Sequence, residues 1–262
     1  VFHGGLAETY KKLFINSYFS HNTIPMLLVF TLFFLVYFYH KENRHKIGIM
    51  ILEIILVSFI ILSAAQKALI GVIFAVFIYP YLFLRAKNKS TSRKLMDILL
   101  VCVLLGLAII LLLKIPLLYN AVGYRVKDVL WGFLSGEFED SSANSRSQMI
   151  TIGIELIKQK PWIGWGLRAW QTWSGLIGSW AHNMFIELTV SGGILAVIIY
   201  YSFFAVTLFK LAKLQDRTEL EDMYLCIMVF MIIHDLLSVS YLDRNLGFIY
   251  CLISADLIQR AR

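Results

Sequence analysis

The sequence predicts an all-α integral membrane protein that crosses a bilayer several times. Hydrophobic residues make up 59% of its 262 residues and charged residues only 16%, and a soluble chain of that size needs more charge to cover its surface. Apolar runs of about 20 residues recur along the chain, and a helix of that length crosses the hydrocarbon core of a bilayer. Most basic residues lie in the short connections between these runs, where they orient membrane helices.

Seven apolar runs predict a polytopic protein with about seven spans, at 23–40, 47–63, 67–84, 95–113, 184–209, 223–241 and 246–259. The connection after the third span is rich in basic residues, namely Arg85, Lys87, Lys89, Arg93 and Lys94. The positive-inside rule places that connection in the cytoplasm. Alternation along the chain then puts the basic clusters within 41–46, 210–217 and 260–262 on the same side. The formal net charge of +7 therefore reflects membrane topology and gives no reason to expect a nucleic-acid partner.

This topology divides the chain into three regions. Residues 1–113 carry N-terminal transmembrane helices, residues 114–183 form a large extracytoplasmic loop that contains helices, and residues 184–262 carry C-terminal transmembrane helices. Because a long ordered loop usually carries function, we expect the site there. The loop also holds all six tryptophans, which favour either a belt at the membrane interface or a groove for sugars: Trp131, Trp162, Trp165, Trp170, Trp173 and Trp180.

Missing motifs argue against several classes of site. The three cysteines, Cys102, Cys226 and Cys251, lie inside apolar runs and are interpreted as packing residues. The sequence has no DxD, HExxH or paired-cysteine spacing, so it predicts no metal site and no cofactor. It also has no Walker loop, which argues against an ATP-driven pump. Since the chain starts at Val1, we expect a longer parent protein with further N-terminal spans.

Residues 141–161, SSANSRSQMITIGIELIKQKP, predict a helix inside the loop. Ser142 or Asn144 can cap its start, and Pro161 ends it. Arg146 in the first turn lies on the predicted buried face, whose apolar residues recur at three- and four-residue steps: Met149, Ile150, Gly153, Ile154 and Ile157.

Arg146 has two interpretations. A cation in the first turn opposes the helix dipole, unless an anion lies between the guanidinium and the N–H groups of the helix start. Phosphates bind such helix starts, and arginine pairs well with their oxygens. The alternative is an ion pair with one of the acidic residues that precede the helix, which are Glu137, Glu139 and Asp140.

The next segment, PWIGWGLRAWQTW at 161–173, predicts a tight turn. Gly164 and Gly166 bracket Trp165, and glycines so placed let the backbone approach another group closely. Arg168 adds a cation directly after the turn. We expect these four residues to contact the substrate.

Polar residues gather at the predicted outer ends of the spans. His182 and Asn183 directly precede the fifth span, where they form either a helix cap at the headgroups or part of a reaction site. Glu187 lies one turn further on, and a buried carboxylate there needs a partner such as His182 or an arginine. Lys67 opens the third span, either as a snorkelling anchor or as a ligand.

Two sets of ionisable residues follow from this topology. His234 and Asp235 lie within the sixth span, where such groups are usually functional or paired. The other set, at the outer face, could bind a lipid-linked diphosphate and supply a base, and it consists of Lys67, Arg146, Arg168, His182 and Glu187.

Four segments together form a recognisable pattern: NSRSQMITIGIELIKQKPWIGWGLRAW (144–170), AHNMFIELTVSGGILA (181–196), LSAAQKALIG (62–71) and YFSHNTIPMLL (18–28). In these segments the chain resembles the O-antigen ligases and the Wzy-type O-antigen and capsule polymerases. The first two segments are the specific part of the resemblance. It implies a GT-C-like membrane fold, an undecaprenyl-diphosphate-linked glycan donor, and a glycosidic bond made on the outer side of the membrane without a metal.

The resemblance also implies roles for individual residues. Arg146 and Lys67 match the positions that hold the diphosphate, and His182 matches the base that takes a proton from the acceptor hydroxyl. Asn22 matches an asparagine that opens an earlier span. The sequence departs from the family at Lys67, where arginine is usual. Unlike arginine, lysine cannot bind a phosphate group with two parallel hydrogen bonds. The sequence departs again at Ser191, where an acidic residue is frequent.

The predicted function is a multi-pass glycosyltransferase of the cell membrane that polymerises lipid-linked repeat units on the outer face. Its partners would be the donor, a glycan acceptor, membrane lipid, and a flippase and a chain-length regulator. One alternative is an O-antigen ligase, which differs only in moving the glycan to a lipid or protein acceptor. A second alternative is a transporter of lipid-linked glycans, which would line mid-membrane positions with charges.

Overall fold

The computed structural model describes residues 23–42, 44–63, 65–84, 91–124, 126–127, 131, 141–176, 180–214, 217–240 and 244–260. Helices make up most of these ranges, and no β-strand occurs within them. The prediction of an all-α protein is therefore confirmed for the part of the chain that the structure describes.

The helices are numbered here in chain order. In the first half of the chain they are α1 (Thr23–Lys41), α2 (Lys46–Leu62), α3 (Gln66–Val72, continued as a π-helix over Ile73–Leu84), α4 (Thr91–Lys114) and α5 (Pro116–Leu118, continued as a π-helix over Tyr119–Gly123). In the second half they are α6 (Ser141–Gln159), α7 (Ala169–Trp173), α8 (Met184–Lys213), α9 (Glu219–Asp235) and α10 (Arg244–Arg260).

Each predicted span overlaps one of these helices, although the helix at the sixth predicted span, 223–241, ends at Asp235. Three helices are long and apolar enough to cross a membrane by themselves, at Ile24–Lys41, Leu95–Lys114 and Met184–Lys213. Two shorter apolar helices lie at Lys67–Tyr81 and Leu246–Gln259. The chain is thus an integral membrane protein, while the full set of seven spans, the three-region division and the side of the long loop remain predictions.

The chain forms two compact units. The first comprises Val1–Gly136 with Arg217–Ile227, and the second comprises Glu137–Asp216 with Met228–Arg262. In the first unit α1 packs on α2 and on α3 with its π-helical continuation, around buried side chains that include Phe33 and Tyr79. The Tyr79 hydroxyl donates to the Glu219 carbonyl oxygen over 3.1 Å, which fastens the start of α9 to this unit.

The second unit is built on the packing of α6 and α7 against α8. Its core joins residues from all three helices and from the stretch that precedes α8, and these are Leu156, Ala169, Trp170, Ala181, Ile186 and Val190. Further along α8, Phe204 stacks on Tyr250 of α10 with ring centroids 4.9 Å apart. All described candidate residues except Lys67 belong to this unit.

Candidate functional site

α6 and the part of α8 before Gly193 run side by side in the same direction. At Gly153, α6 lies so close to α8 that a Cβ would overlap the Ile186 side chain. Further along both segments, the Ile194 N–H donates to the Pro161 carbonyl oxygen over 2.8 Å. Going from Gly153 to Pro161 in the first segment, the residue contacted in the second segment changes from Ile186 to Ile194, so both segments advance in the same direction. α6 and this part of α8 are therefore parallel, and their N-terminal ends lie at the same end of the pair.

A break in α8 explains why glycines are needed both in this helix and in the turn at 161–166. Gly193 has φ 68° and ψ −171°, a conformation that is essentially restricted to glycine. A break there withdraws two backbone hydrogen bonds that a continuous helix would make, from Ile194 to Val190 and from Leu195 to Ser191. The backbone groups so released need other partners wherever water is excluded.

The turn at 161–166 supplies all four partners. Two N–H groups of the turn donate to the released carbonyls and two carbonyls of the turn accept from the released N–H groups: Trp165 to Val190 at 2.8 Å, Gly166 to Ser191 at 2.8 Å, Ile194 to Pro161 at 2.8 Å and Leu195 to Trp162 at 3.4 Å. A Cβ on Gly164 would come within 2.6 Å of the Ser191 carbonyl, and one on Gly193 would overlap the backbone of Trp162. The close approach expected of the turn is thus made to α8.

Asn183 is the N-cap of α8 and also ties it to α9. Its Oδ1 accepts from the Ile186 N–H over 3.1 Å, as the sequence predicts for a cap. Its Nδ2 donates to the Leu236 carbonyl oxygen, also over 3.1 Å, and this second contact was not predicted. His182 precedes it with φ 52°, a left-handed conformation, and its side chain is exposed.

Glu187 is fully buried one turn into α8. Its Oε2 accepts from the Ala181 N–H over 3.0 Å, so this oxygen is bound by a backbone group, whereas the sequence predicts His182 or an arginine as its partner. Its Oε1 has no hydrogen-bond partner among the described residues. Ala181 and Asn183 are therefore both anchored, and His182 lies between them at a fixed corner.

Arg146 is half-buried in α6, about two turns or roughly 10 Å before Gly153 along the helix axis. It therefore lies toward the same end of the helix pair as His182. The predicted acidic partners of Arg146, the side chains of Ser142 and Asn144, and Asn22 lie outside the described residues. The predicted buried face of α6 is wrong in part, since Ile150 and Ile154 are exposed. The inward face keeps the predicted Met149, Gly153 and Ile157, while Ile152 and Leu156 face inward in place of the two exposed isoleucines.

The tryptophans of the long loop play different parts. Trp170 is fully buried and is a core residue. Trp165 donates from Nε1 to the Leu156 carbonyl oxygen over 3.0 Å, and the Lys160 ammonium lies 4.0 Å from its ring centroid. Trp162 and Trp173 are exposed. A single role for all six rings, whether belt or sugar groove, therefore does not describe them.

The two remaining candidate cations occupy different units. Arg168 is exposed and left-handed at φ 59°, directly before α7. Lys67 is half-buried in the first turn of α3 and belongs to the first unit, whereas Arg146, Arg168 and His182 belong to the second. Among the described residues, no group of three His, Cys, Asp or Glu side chains could hold a metal ion.

Asp235 is held by two hydroxyl groups. Its Oδ2 accepts from the Tyr201 hydroxyl over 2.8 Å, and its Oδ1 accepts from the Ser240 hydroxyl. The ring of Tyr201 also stacks on Phe185, with centroids 4.5 Å apart. These contacts fasten α9 to α8 near the Asn183 corner. Sequence reasoning noted Asp235 but missed Tyr201, since a tyrosine inside an apolar run carries no signal of its own.

No curated protein matches the chain. The family model described as O-antigen ligase matches residues 50–201, which is more than half of the chain and includes Lys67, Arg146 and His182. The match confirms the resemblance found in the sequence, and it implies a membrane enzyme that ligates or polymerises glycans, with a lipid-linked donor and an acceptor. The chain belongs to the O-antigen ligase family.

Proposed function

We propose that the protein transfers a glycan from an undecaprenyl-diphosphate-linked donor to a sugar hydroxyl at the outer face of the cell membrane. The observation that carries this proposal is the parallel packing of α6 and α8. It brings two helix N-termini, Arg146 and His182 to one end of the second unit.

That end is suited to an anion. Each helix N-terminus carries a partial positive charge, and two such ends side by side repel each other unless a negative group lies near them. A diphosphate relieves this repulsion, and a guanidinium binds its oxygens with paired hydrogen bonds. We assign Arg146 to the diphosphate. Lys67 and Arg168 are proposed as further cations for it, Lys67 because its position matches the family motif.

The proposed reaction is a displacement at the anomeric carbon of the donor. His182 removes the proton from the acceptor hydroxyl, whose oxygen then forms the new bond to that carbon. The bond from the carbon to the diphosphate oxygen breaks at the same time, and the leaving diphosphate keeps the electron pair. Cations stabilise the charge that develops on it, so the mechanism needs no metal. A histidine suits the proton transfer because its pKa normally lies close to neutrality.

The residues around His182 hold its backbone in place. Asn183 and Glu187 fix the backbone on either side of it, so the imidazole is exposed on a rigid corner. Rigid placement matters because a misplacement of about 1 Å can cost about 100-fold in rate. Gly164, Gly166 and Trp165 brace α8 just beyond this corner, and we propose that the exposed ring of Trp173 nearby contacts the sugar.

A polymerase and a ligase differ in the acceptor to which the glycan is transferred. We favour a polymerase, in which the acceptor is a second lipid-linked glycan. The description of the matching family favours a ligase, in which the acceptor is another lipid or a protein. The binding of Asp235 by two hydroxyls reduces support for a transporter, since this mid-span acid is already satisfied by the protein.

The test uses purified protein, lipid-linked repeat units and a chelator, with a lipid A core acceptor in a parallel reaction. His182→Ala should lower the rate of bond formation by about 10²- to 10⁴-fold, while donor binding is retained. Arg146→Lys keeps the charge but loses the paired hydrogen bonds, so both activity and donor binding should weaken. Parental rates in both variants would refute the proposed site. Product on the lipid A core alone would identify a ligase.

A further inference from the structure

We infer that Tyr201 is a positioning residue for His182. Tyr201 closes the two parts of α8 on each other and on the end of α9, and it thereby fixes the corner of the chain that carries His182. The inference rests on the proposed function of His182 as the base. It adds a residue that acts through this histidine and takes no part in the proton transfer itself.

The helix α8 folds back on itself at Gly193. Phe185 and Tyr201 are 16 residues apart in the chain, which in a straight helix corresponds to about 24 Å. Their rings instead stack with centroids 4.5 Å apart and planes inclined by only 7°. The break at Gly193 therefore divides α8 into a first arm over 184–192 and a second arm over 194–213, which lie against each other.

The two arms form a hairpin with a closed end and an open end. At the closed end, the turn at 161–166 binds the backbone groups that the break at Gly193 releases. At the open end, the stack of Phe185 on Tyr201 joins the arms. His182 precedes the first arm at this open end. The contacts at the open end thus decide where His182 lies relative to the second arm.

These contacts form a closed ring. The ring of Tyr201 stacks on Phe185, and its hydroxyl donates to Asp235 Oδ2 over 2.8 Å. The carbonyl oxygen of the next residue, Leu236, accepts from Asn183 Nδ2 over 3.1 Å, and Asn183 leads back through the chain to Phe185. The single side chain of Tyr201 supplies two of these three non-covalent contacts.

His182 depends on this ring because it is bonded directly to Asn183. The histidine is exposed and its backbone is left-handed, with φ 52°. Such a conformation persists only where the surrounding structure enforces it. Without the Tyr201 side chain, the start of the first arm loses its support against the second arm, and the corner before it shifts. A shift of about 1 Å in a catalytic group can cost about 100-fold in rate.

Spin labels test whether Tyr201 closes the arms, and this test needs no enzymatic activity. The labelled protein carries Cys102→Ala and Cys251→Ala, which remove the two exposed thiols and leave the buried Cys226. The labels are attached to cysteines that replace Leu188 in the first arm and Ser202 in the second. Dipolar broadening of their spectra reports the distance between the arms.

Three variants are compared in this labelled protein. Tyr201→Leu removes both the stacked ring and the hydroxyl, whereas Tyr201→Phe keeps the ring. Phe203→Leu is the matched control, because Phe203 is an exposed aromatic residue of the same arm. We expect the broadening of the parent to be retained in Tyr201→Phe and Phe203→Leu and to decrease in Tyr201→Leu. Unchanged broadening in Tyr201→Leu would overturn the claim that Tyr201 closes the arms.

Kinetics in the repeat-unit assay test whether Tyr201 acts through His182. Tyr201→Leu should lower kcat by about 10- to 100-fold, and Tyr201→Phe should lower it less. Donor affinity should stay at the parental value, because the cations hold the diphosphate. In a protein that already carries His182→Ala, the further change Tyr201→Leu should cause no additional loss, since the group that it positions is gone.

The same measurements separate failure of this inference from failure of the proposed function. A parental kcat in Tyr201→Leu would overturn the positioning role and leave His182 as the base. An equal fractional loss of rate with and without His182→Ala would do the same, because Tyr201 would then act on the fold in general. A parental rate in His182→Ala alone would refute the proposed function, and with it any role of Tyr201 in positioning a base.

Discussion

Replacement of Gly193 by alanine tests whether the broken α8 and the turn at 161–166 form one structural element. A residue with a side chain costs about 1–3 kcal/mol in the backbone conformation that Gly193 adopts. In addition, a Cβ at this position would overlap the backbone of Trp162 and Ile163, so the turn has to move away. If it moves, the four backbone hydrogen bonds between the turn and α8 are lost, each with a net contribution of about 1 kcal/mol.

Together these effects predict that Gly193→Ala lowers the free energy of unfolding by about 5–7 kcal/mol. The assay is reversible unfolding of the purified protein in mixed micelles by added dodecyl sulfate, followed by circular dichroism and tryptophan fluorescence. The matched control is Gly247→Ala in α10 of the same unit, where a Cβ meets nothing within 4 Å. A Gly193→Ala variant as stable as the Gly247→Ala variant would show that the turn does not depend on the break.

The remaining predictions concern the corner at Asn183 and the topology. Asn183→Asp keeps the cap but loses the Nδ2 donor to Leu236, so its free energy of unfolding should be lower than that of the parent by about 1 kcal/mol. Asn183→Ala also loses the cap, so its free energy of unfolding should be lower by about 1 kcal/mol more. Equal stability of the two variants would contradict this order. Glu187→Gln keeps an acceptor for the Ala181 N–H and should retain most activity in the repeat-unit assay. Glu187→Leu leaves that buried donor without a partner, which lowers the free energy of unfolding by about 1–3 kcal/mol. This second variant should therefore lower the rate more. For topology, a cysteine at the exposed Thr172 should react with an impermeant thiol reagent added to intact cells, while one at Lys89 should not; reaction at Lys89 would reverse the assignment of sides.

The sequence by itself determined the all-α class of the fold and the approximate positions of its long helices. Apolar runs and basic connections are local features, so their periodicity and charge reported the membrane helices without any knowledge of packing. The helix over Ser141–Gln159 was equally readable, because Pro161 ends it and its polar start is distinct. The family was also accessible from the sequence, since the arginine-headed helix and the His-Asn pair are short contiguous motifs.

Only the tertiary structure decided how the motifs act on one another. Gly164 and Gly193 lie far apart in the chain, and the sequence shows two turn signals but not that the turn completes the hydrogen bonds of the broken helix. The partner of Glu187 was also undetermined, because a backbone N–H leaves no trace in residue identity. The inward face of α6 depended on its contact with Ile186 through Gly153. Each of these outcomes depends on atoms brought together by folding, whereas helix position and charge depend on neighbours in the chain.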